Sequence, residues 1–180
     1  MVGGGSRRFG TPKSEIRIDG ATLLERSVAL LEAALGTEPL VVGGSAIPDT
    51  RPGCGPLAGL ESAFHNAGAD ALIVVACDMP GLSSTMINLL ASHKGLEQVV
   101  VPRLGDRLHP LCARWHRDAL AQISLALDEG RHSVTDLLSR LDVYTLDEQS
   151  LRNAGVLPER ELFNVNRPED LRAFLDSQIS

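Results

Sequence analysis

The chain has 180 residues, enough for a single domain that buries most of the surface its unfolded form exposes. Seventeen basic residues against 23 acidic ones leave a net charge of −6, so no broad basic face can dominate the field and a general nucleic-acid binder is excluded. Cys54, Cys77 and Cys112 are odd in number and form no CxxC pair, which argues against a disulfide framework or a cysteine zinc site. No apolar run approaches the roughly 20 residues that span a bilayer, and the N-terminus lacks a signal-peptide core, so a cytoplasmic chain without a membrane partner is expected.

The first stretch, Gly3-Gly4-Gly5-Ser6-Arg7-Arg8-Phe9-Gly10-Thr11-Pro12-Lys13, reads as a phosphate cradle. Glycines let successive N–H groups converge on anionic oxygens, and Arg8 and Lys13 supply countercharge. A flexible basic terminus is the alternative. Walker spacing fails because Thr11 and Pro12 separate Gly10 from Lys13, and a dinucleotide fingerprint fails because Arg8 stands where its third glycine belongs. Met1-Val2 is all that remains of the strand such a loop normally follows, and an apolar strand upstream of residue 1 is expected.

Onward from Lys13, Ser14–Ile18 is extended and Asp19-Gly20 turns. Leu24, Val28, Leu31 and Leu35 then mark one face of a helix that Gly36 stops. Leu40-Val41-Val42 reads as a short buried strand, and residues 43–56, with four glycines and three prolines, as a loop. A helix follows from Pro56 to about Gly68, carrying Leu57, Leu60 and Phe64 on its apolar stripe. The continuous run Ala71–Ala76 is the clearest strand, covered on both faces. Ser83 or Ser84 caps a helix to about His93, and Gln98–Val101 is the next strand. Arg103–His109 reads as a polar loop and Leu111–Trp115 as a strand. Helices are expected over Ala119–Gly130 and Ser133–Leu141, an edge strand at Val143–Leu146, and a last helix from Pro168. This alternation predicts an α/β, Rossmann-like, mainly parallel sheet with helices on both faces.

Ligands of such sheets bind outside the carboxyl ends of the strands. Asp78 stands at such an end, suited to a Mg2+ that takes few protein ligands and several phosphate oxygens, or else to a turn before Met79-Pro80. Asp49 and Gly55 lie on the loop where a ribose or base would sit, although an ordinary loop carboxylate fits Asp49 equally. Arg107 and the His109-Pro110 pair adjoin a strand, in a catalytic or a structural capacity. Asn164 and Asn166 put two amides on one side of an extended segment, with Asn166 also placed to cap the last helix.

Taken together, Gly3 to Lys13, Gly55-Pro56-Leu57-Ala58-Gly59, Ala76-Cys77-Asp78-Met79-Pro80, His109-Pro110 and Asn164-Val165-Asn166-Arg167-Pro168-Glu169-Asp170 resemble the molybdenum cofactor guanylyltransferases. The order and spacing agree over nearly the whole chain. That resemblance implies transfer of GMP from GTP to molybdopterin with release of pyrophosphate, requiring Mg2+, with apo-molybdoenzymes or their chaperones as further partners. It places Gly3, Gly4, Gly5, Ser6 and Lys13 on the GTP phosphates, Arg8 and Lys13 as catalytic cations, Asp49 and Gly55 on the nucleoside side and Asp78 on the nucleotide's Mg2+. His109, Asn164 and Asn166 fall to the pterin. Two departures stand out: Met1-Val2 replaces the family's Leu-Ala after a full strand, and Gly43, Gly44 and Ser45 occupy the place of a base-contacting Asn. Two alternatives stay open, a cytidylyltransferase acting on the same pterin and a non-catalytic nucleotide-binding partner.

Overall fold

The computed structural model describes residues 16–44 and 46–177, and its first element is a tight hairpin, β1 (Arg17–Ile18) against β2 (Ala21–Thr22). The turn between them holds both Asp19 (φ 53°) and Gly20 (φ 86°) in the left-handed region. That is the mirror-image turn whose twist suits a two-residue hairpin, which is why Asp-Gly forms it. Thr22 then caps α1 (Leu23–Leu35) reciprocally: its hydroxyl accepts from Glu25 N–H at 3.1 Å, and its own N–H donates to the Glu25 carboxylate at 2.7 Å. Gly36 (φ 67°) ends the helix.

After the loop comes α2 (Pro56–Ala67), followed by β3 (Ala71–Val75), α3 (Ser84–Ser92), β4 (Val99–Leu104), β5 (Arg107–Leu108) and β6 (Cys112–His116). The C-terminal half adds α4 (Leu120–Asp128), α5 (Val134–Leu138), β7 (Val143–Leu146), α6 (Glu148–Asn153), α7 (Pro158–Glu161) and α8 (Pro168–Asp176). The sheet runs β3-β6-β4-β5, with β7 also on β4. Strands β3, β4 and β7 point the same way, since β6 lies antiparallel to both β3 and β4 while β7 pairs parallel with β4. The sheet is therefore mixed, with its parallel members sharing one carboxyl end.

Each face is covered by helices. On one face Leu57, Leu60 and Phe64 of α2 pack with Ile123 and Leu127 of α4 and with Leu137 and Leu138 of α5, over Val74, Val99, Ala113 and the fully buried Trp115. Met86 and Leu90 of α3, Leu151 of α6 and Leu162 cover Val100, Cys112 and Leu146 on the other. The alternation along β6, Ala113 and Trp115 one way and Cys112 the other, is the period-2 geometry of a strand between two layers. Burial pushes the Cys112 thiol up to about 12, with the Glu161 carboxylate adding to the shift, so this cysteine is a packing group.

Three sequence expectations change. Leu40-Val41-Val42 forms no strand among the described residues, only an isolated bridge from Val42 to Ile47. Pro39 lacks a donor and Gly43 (φ 98°) turns the chain at once, leaving three residues between breakers. Arg103–His109 is a hairpin rather than a loop: Arg103 and Leu104 pair with Leu108 and Arg107 around a left-handed Gly105 (φ 57°). The helices α6 and α7 were not anticipated, being one or two turns long and too short for a periodic pattern.

Candidate active site

At the carboxyl end of β3, Ala76 and Cys77 are buried and Asp78 emerges half-buried. The extended segment before α8 docks onto this turn, its Val165 N–H donating to the Asp78 carbonyl at 2.8 Å while the Val165 side chain is fully buried. The docking brings together groups 86 residues apart. Asn164 Nδ2 donates to Asp78 Oδ1 at 2.9 Å, and Asn164 Oδ1 accepts from an Arg107 guanidinium nitrogen at 3.3 Å. One amide thus joins the strand-end carboxylate to a cation on β5. Asn166 is exposed: its Nδ2 lies 3.5 Å from the Asn164 carbonyl. It does not cap α8 as expected. The Asp170 carboxylate instead accepts from the Asn166 and Arg167 amides, reaching back from the first turn of the helix.

Beside this chain opens a cavity of about 780 Å3, whose walls include Leu104, Arg107, His109, His132, Thr135 and Asn164. The fold clamps His109 through its backbone. Its N–H donates to the Pro102 carbonyl at 3.0 Å, its carbonyl accepts from Cys112 N–H at 2.9 Å, and the indole N–H of buried Trp115 holds the Pro110 carbonyl at 2.9 Å. His109 is 5 % exposed, yet its Nε2 is buried without a hydrogen-bond partner among the described residues. Burial, with the Arg107 charge nearby, lowers its pKa to about 4, so it is neutral near pH 7. A buried polar atom without a partner costs about 1–3 kcal/mol, and a ligand in the cavity that supplied the missing bond would recover it. His132 and Thr135, which sequence reasoning passed over, lie on the loop before α5 and on its first turn; no local pattern marks them, because only the packing of α5 brings them to the cavity wall.

The loop holding Asp49 and Gly55 leads into α2, whose first residue lies on the cavity wall. Gly55 (φ 69°) starts α2 in a conformation that a side chain would resist, and the next residue, Pro56, lines the cavity. Asp49 is half-buried and does not line it; its carboxylate makes no hydrogen bond or ion pair among the described residues. The following residues are held firmly. Glu61 of α2, only 3 % exposed, accepts from Thr50 Oγ1 (2.6 Å), Arg51 Nε (3.0 Å) and Ser124 Oγ (2.6 Å). Burial pushes the Glu61 carboxyl up, but the bonds from Ser124, Thr50 and Arg51 outweigh it and keep it below the ordinary carboxylate range. A signal was present: Glu61 falls on the apolar stripe, four residues after Leu57 and three before Phe64.

The predicted cradle residues Gly3, Gly4, Gly5, Ser6, Arg8 and Lys13, and the Met1-Val2 remnant, lie outside the described residues. No group of three or more His, Cys, Asp or Glu suited to a metal occurs among the described residues, and no described helix is long and apolar enough to cross a membrane.

The family model for the MobA-like NTP transferase domain matches residues 1–144, four-fifths of the chain. The chain belongs to that family. It is accordingly a nucleotidyltransferase. It is 34 % identical to a probable molybdenum cofactor guanylyltransferase of Opitutus terrae over 94 % of this chain and 90 % of that one. A molybdenum cofactor guanylyltransferase of Desulfosudis oleivorans is 32 % identical over 95 % and 90 % of the two chains. Among solved structures, molybdopterin-guanine dinucleotide biosynthesis protein A of Archaeoglobus fulgidus superposes with a TM-score of 0.83 at 25 % identity, covering 99 % of this chain and 96 % of that one.

Proposed function

We propose that this nucleotidyltransferase moves GMP from GTP to molybdopterin, releasing pyrophosphate. The observation that carries the reading is the Asp78–Asn164–Arg107 chain, which ties the carboxyl end of β3 to the wall of a cavity of about 780 Å3, a size suited to a tricyclic pterin. The names of the relatives support the same substrates.

On this reading no protein nucleophile is needed, because the molybdopterin phosphate can itself attack the α-phosphorus in line, and positioning and charge neutralisation carry the rate. The loop Gly3, Gly4, Gly5 and Ser6 wraps the phosphates, while Arg8 and Lys13 stabilise charge gathering on the departing pyrophosphate. Asp49 and Gly55 serve the guanosine. Asn164 and His109 hold the pterin side, the neutral imidazole offering a hydrogen bond rather than a charge, and Asn166 supports the Asn164 backbone. Asp78 fits Mg2+ by its donor set: a hard carboxylate oxygen, outside any group of three or more His, Cys, Asp or Glu suited to a metal among the described residues, matches an ion that keeps phosphate oxygens and waters for most of its shell. When bound there, Mg2+ supplies positive charge to the α- and β-phosphates. Apo-molybdoenzymes or their chaperones would receive the product.

Pyrophosphate release measured with each nucleoside triphosphate, with and without molybdopterin, tests the proposal. Release that requires both GTP and molybdopterin supports it. Turnover with CTP instead would make the chain a cytidylyltransferase, in keeping with Gly43 and Gly44 at the place of the base-contacting Asn, and GTP binding without release would make it a non-catalytic partner.

A further inference from the structure

Arg51 and Thr50 reach the buried Glu61 carboxylate directly after Asp49, the loop residue whose own carboxylate is left unpaired among the described residues. The grip is two-sided. Arg51 also donates from its other terminus to Asp128 of α4 at 2.5 Å, and the Thr50 N–H donates to the Ser62 hydroxyl of α2 at 2.7 Å. Ser124 of α4 completes the shell of Glu61, so two helices of the scaffold converge on two consecutive loop residues. Beyond them Gly53 (φ 83°) and Gly55 (φ 69°) are both left-handed, Cys54 packs against the core, and its N–H donates to the Arg51 carbonyl at 3.2 Å.

A buried carboxylate is an expensive way to fill this position. Desolvating it costs several kcal/mol before its partners return anything, and an apolar side chain would continue the Leu57, Leu60 and Phe64 stripe at less cost. What an apolar residue cannot do is fix Thr50 and Arg51 in one geometry. We propose that Glu61 is a positioning residue for nucleotide binding: by anchoring Thr50 and Arg51 to α2 and α4, it sets the place at which Asp49 meets the nucleoside. This rests on the reading of Asp49 as a nucleoside contact. Glu61 itself touches no substrate.

The test is GTP titration of the full chain, wild type and Glu61→Gln, each with and without Asp49→Asn, at a temperature well below every melting transition. The amide keeps the shape but cannot accept from all three donors as an anion does. Glu61→Gln should weaken GTP binding about tenfold in the native background, the coupling common for groups in one hydrogen-bond network, and cause almost no further loss once Asp49 is Asn. A merely structural Glu61 would lower the melting temperature and leave affinity alone, or weaken binding equally in both backgrounds; either result overturns the inference. If Asp49→Asn alone leaves GTP affinity unchanged, the nucleoside reading of that loop fails first and takes the inference with it. Should Glu61→Gln not fold, Thr50→Val removes one loop donor with the helices intact and must show the same dependence on Asp49.

Discussion

Acidification should destabilise this protein through His109. The unfolded chain takes up that proton below about pH 6.5, whereas the folded imidazole, buried against the cavity wall beside Arg107, holds out to about 4. Between those values the unfolded state binds more protons, so stability is lost as the pH falls from 6.5 towards 4 and is fully present above 6.5. The shift has a ceiling of about 3 kcal/mol, of which about 2 kcal/mol falls between pH 7 and pH 5. For a chain of this length that amounts to roughly 4–8 °C in melting temperature. Calorimetric melts of wild type and His109→Gln at pH 7 and pH 5 isolate the effect, because glutamine has no proton to gain while the other histidines titrate alike in both. Wild type should lose that much more than the variant. Parallel losses would refute the reasoning and mean that the imidazole is protonated in the fold.

Asp78→Asn keeps the bond geometry but loses the anionic oxygen that a hard cation prefers, so GMP transfer at limiting Mg2+ should fall about a hundredfold or more while the melting temperature moves little; near wild-type turnover would remove Asp78 from the metal. Glu161 is 4 % exposed and accepts from Ser83 N–H and Oγ and from Leu157 N–H, so Glu161→Leu should cost about 2–4 kcal/mol by orphaning the start of α3, read as a lower urea midpoint with GTP affinity unchanged. Gly81 has no room for a side chain, since a Cβ would run into the Arg160 carbonyl and the Phe174 ring; Gly81→Ala should cost about 1–3 kcal/mol in the same titration.

How legible these features were depended on whether the signal was local. The helix stops at Gly36 and Gly68, the Asp19-Gly20 turn, the Ser83 cap and the apolar run of β3 could all be read from neighbouring residues, because caps, turns and periodicity are local physics. The antiparallel insertion of β6 could not, since strand order is decided by which faces pack and not by any one segment. For the same reason the hairpin at 103–108 read as polar loop: its alternating charged and apolar residues belong to a two-stranded projection rather than a covered strand. Asp78 and Asn164 were both singled out, but nothing in a linear chain announces a contact across 86 residues. Glu61 and Glu161 were missed because a carboxylate within a helix reads as surface until the helix is found to be covered on that side.

The amide at position 164 suits this geometry. Its Nδ2 must donate, because it meets the Asp78 carboxylate at 2.9 Å, and its Oδ1 must accept, because it meets the Arg107 guanidinium. A carboxylate here would place like charges within hydrogen-bonding distance and force one to stay protonated, spoiling Asp78 as an anionic ligand. A lysine could donate to Asp78 but would neutralise it and repel Arg107. A neutral amide passes a hydrogen bond from cation to anion without changing the charge of either. Asn164 therefore leaves the strand end negative and the hairpin positive, which on the proposed reading are the charges that Mg2+ and a phosphate of the pterin substrate would meet.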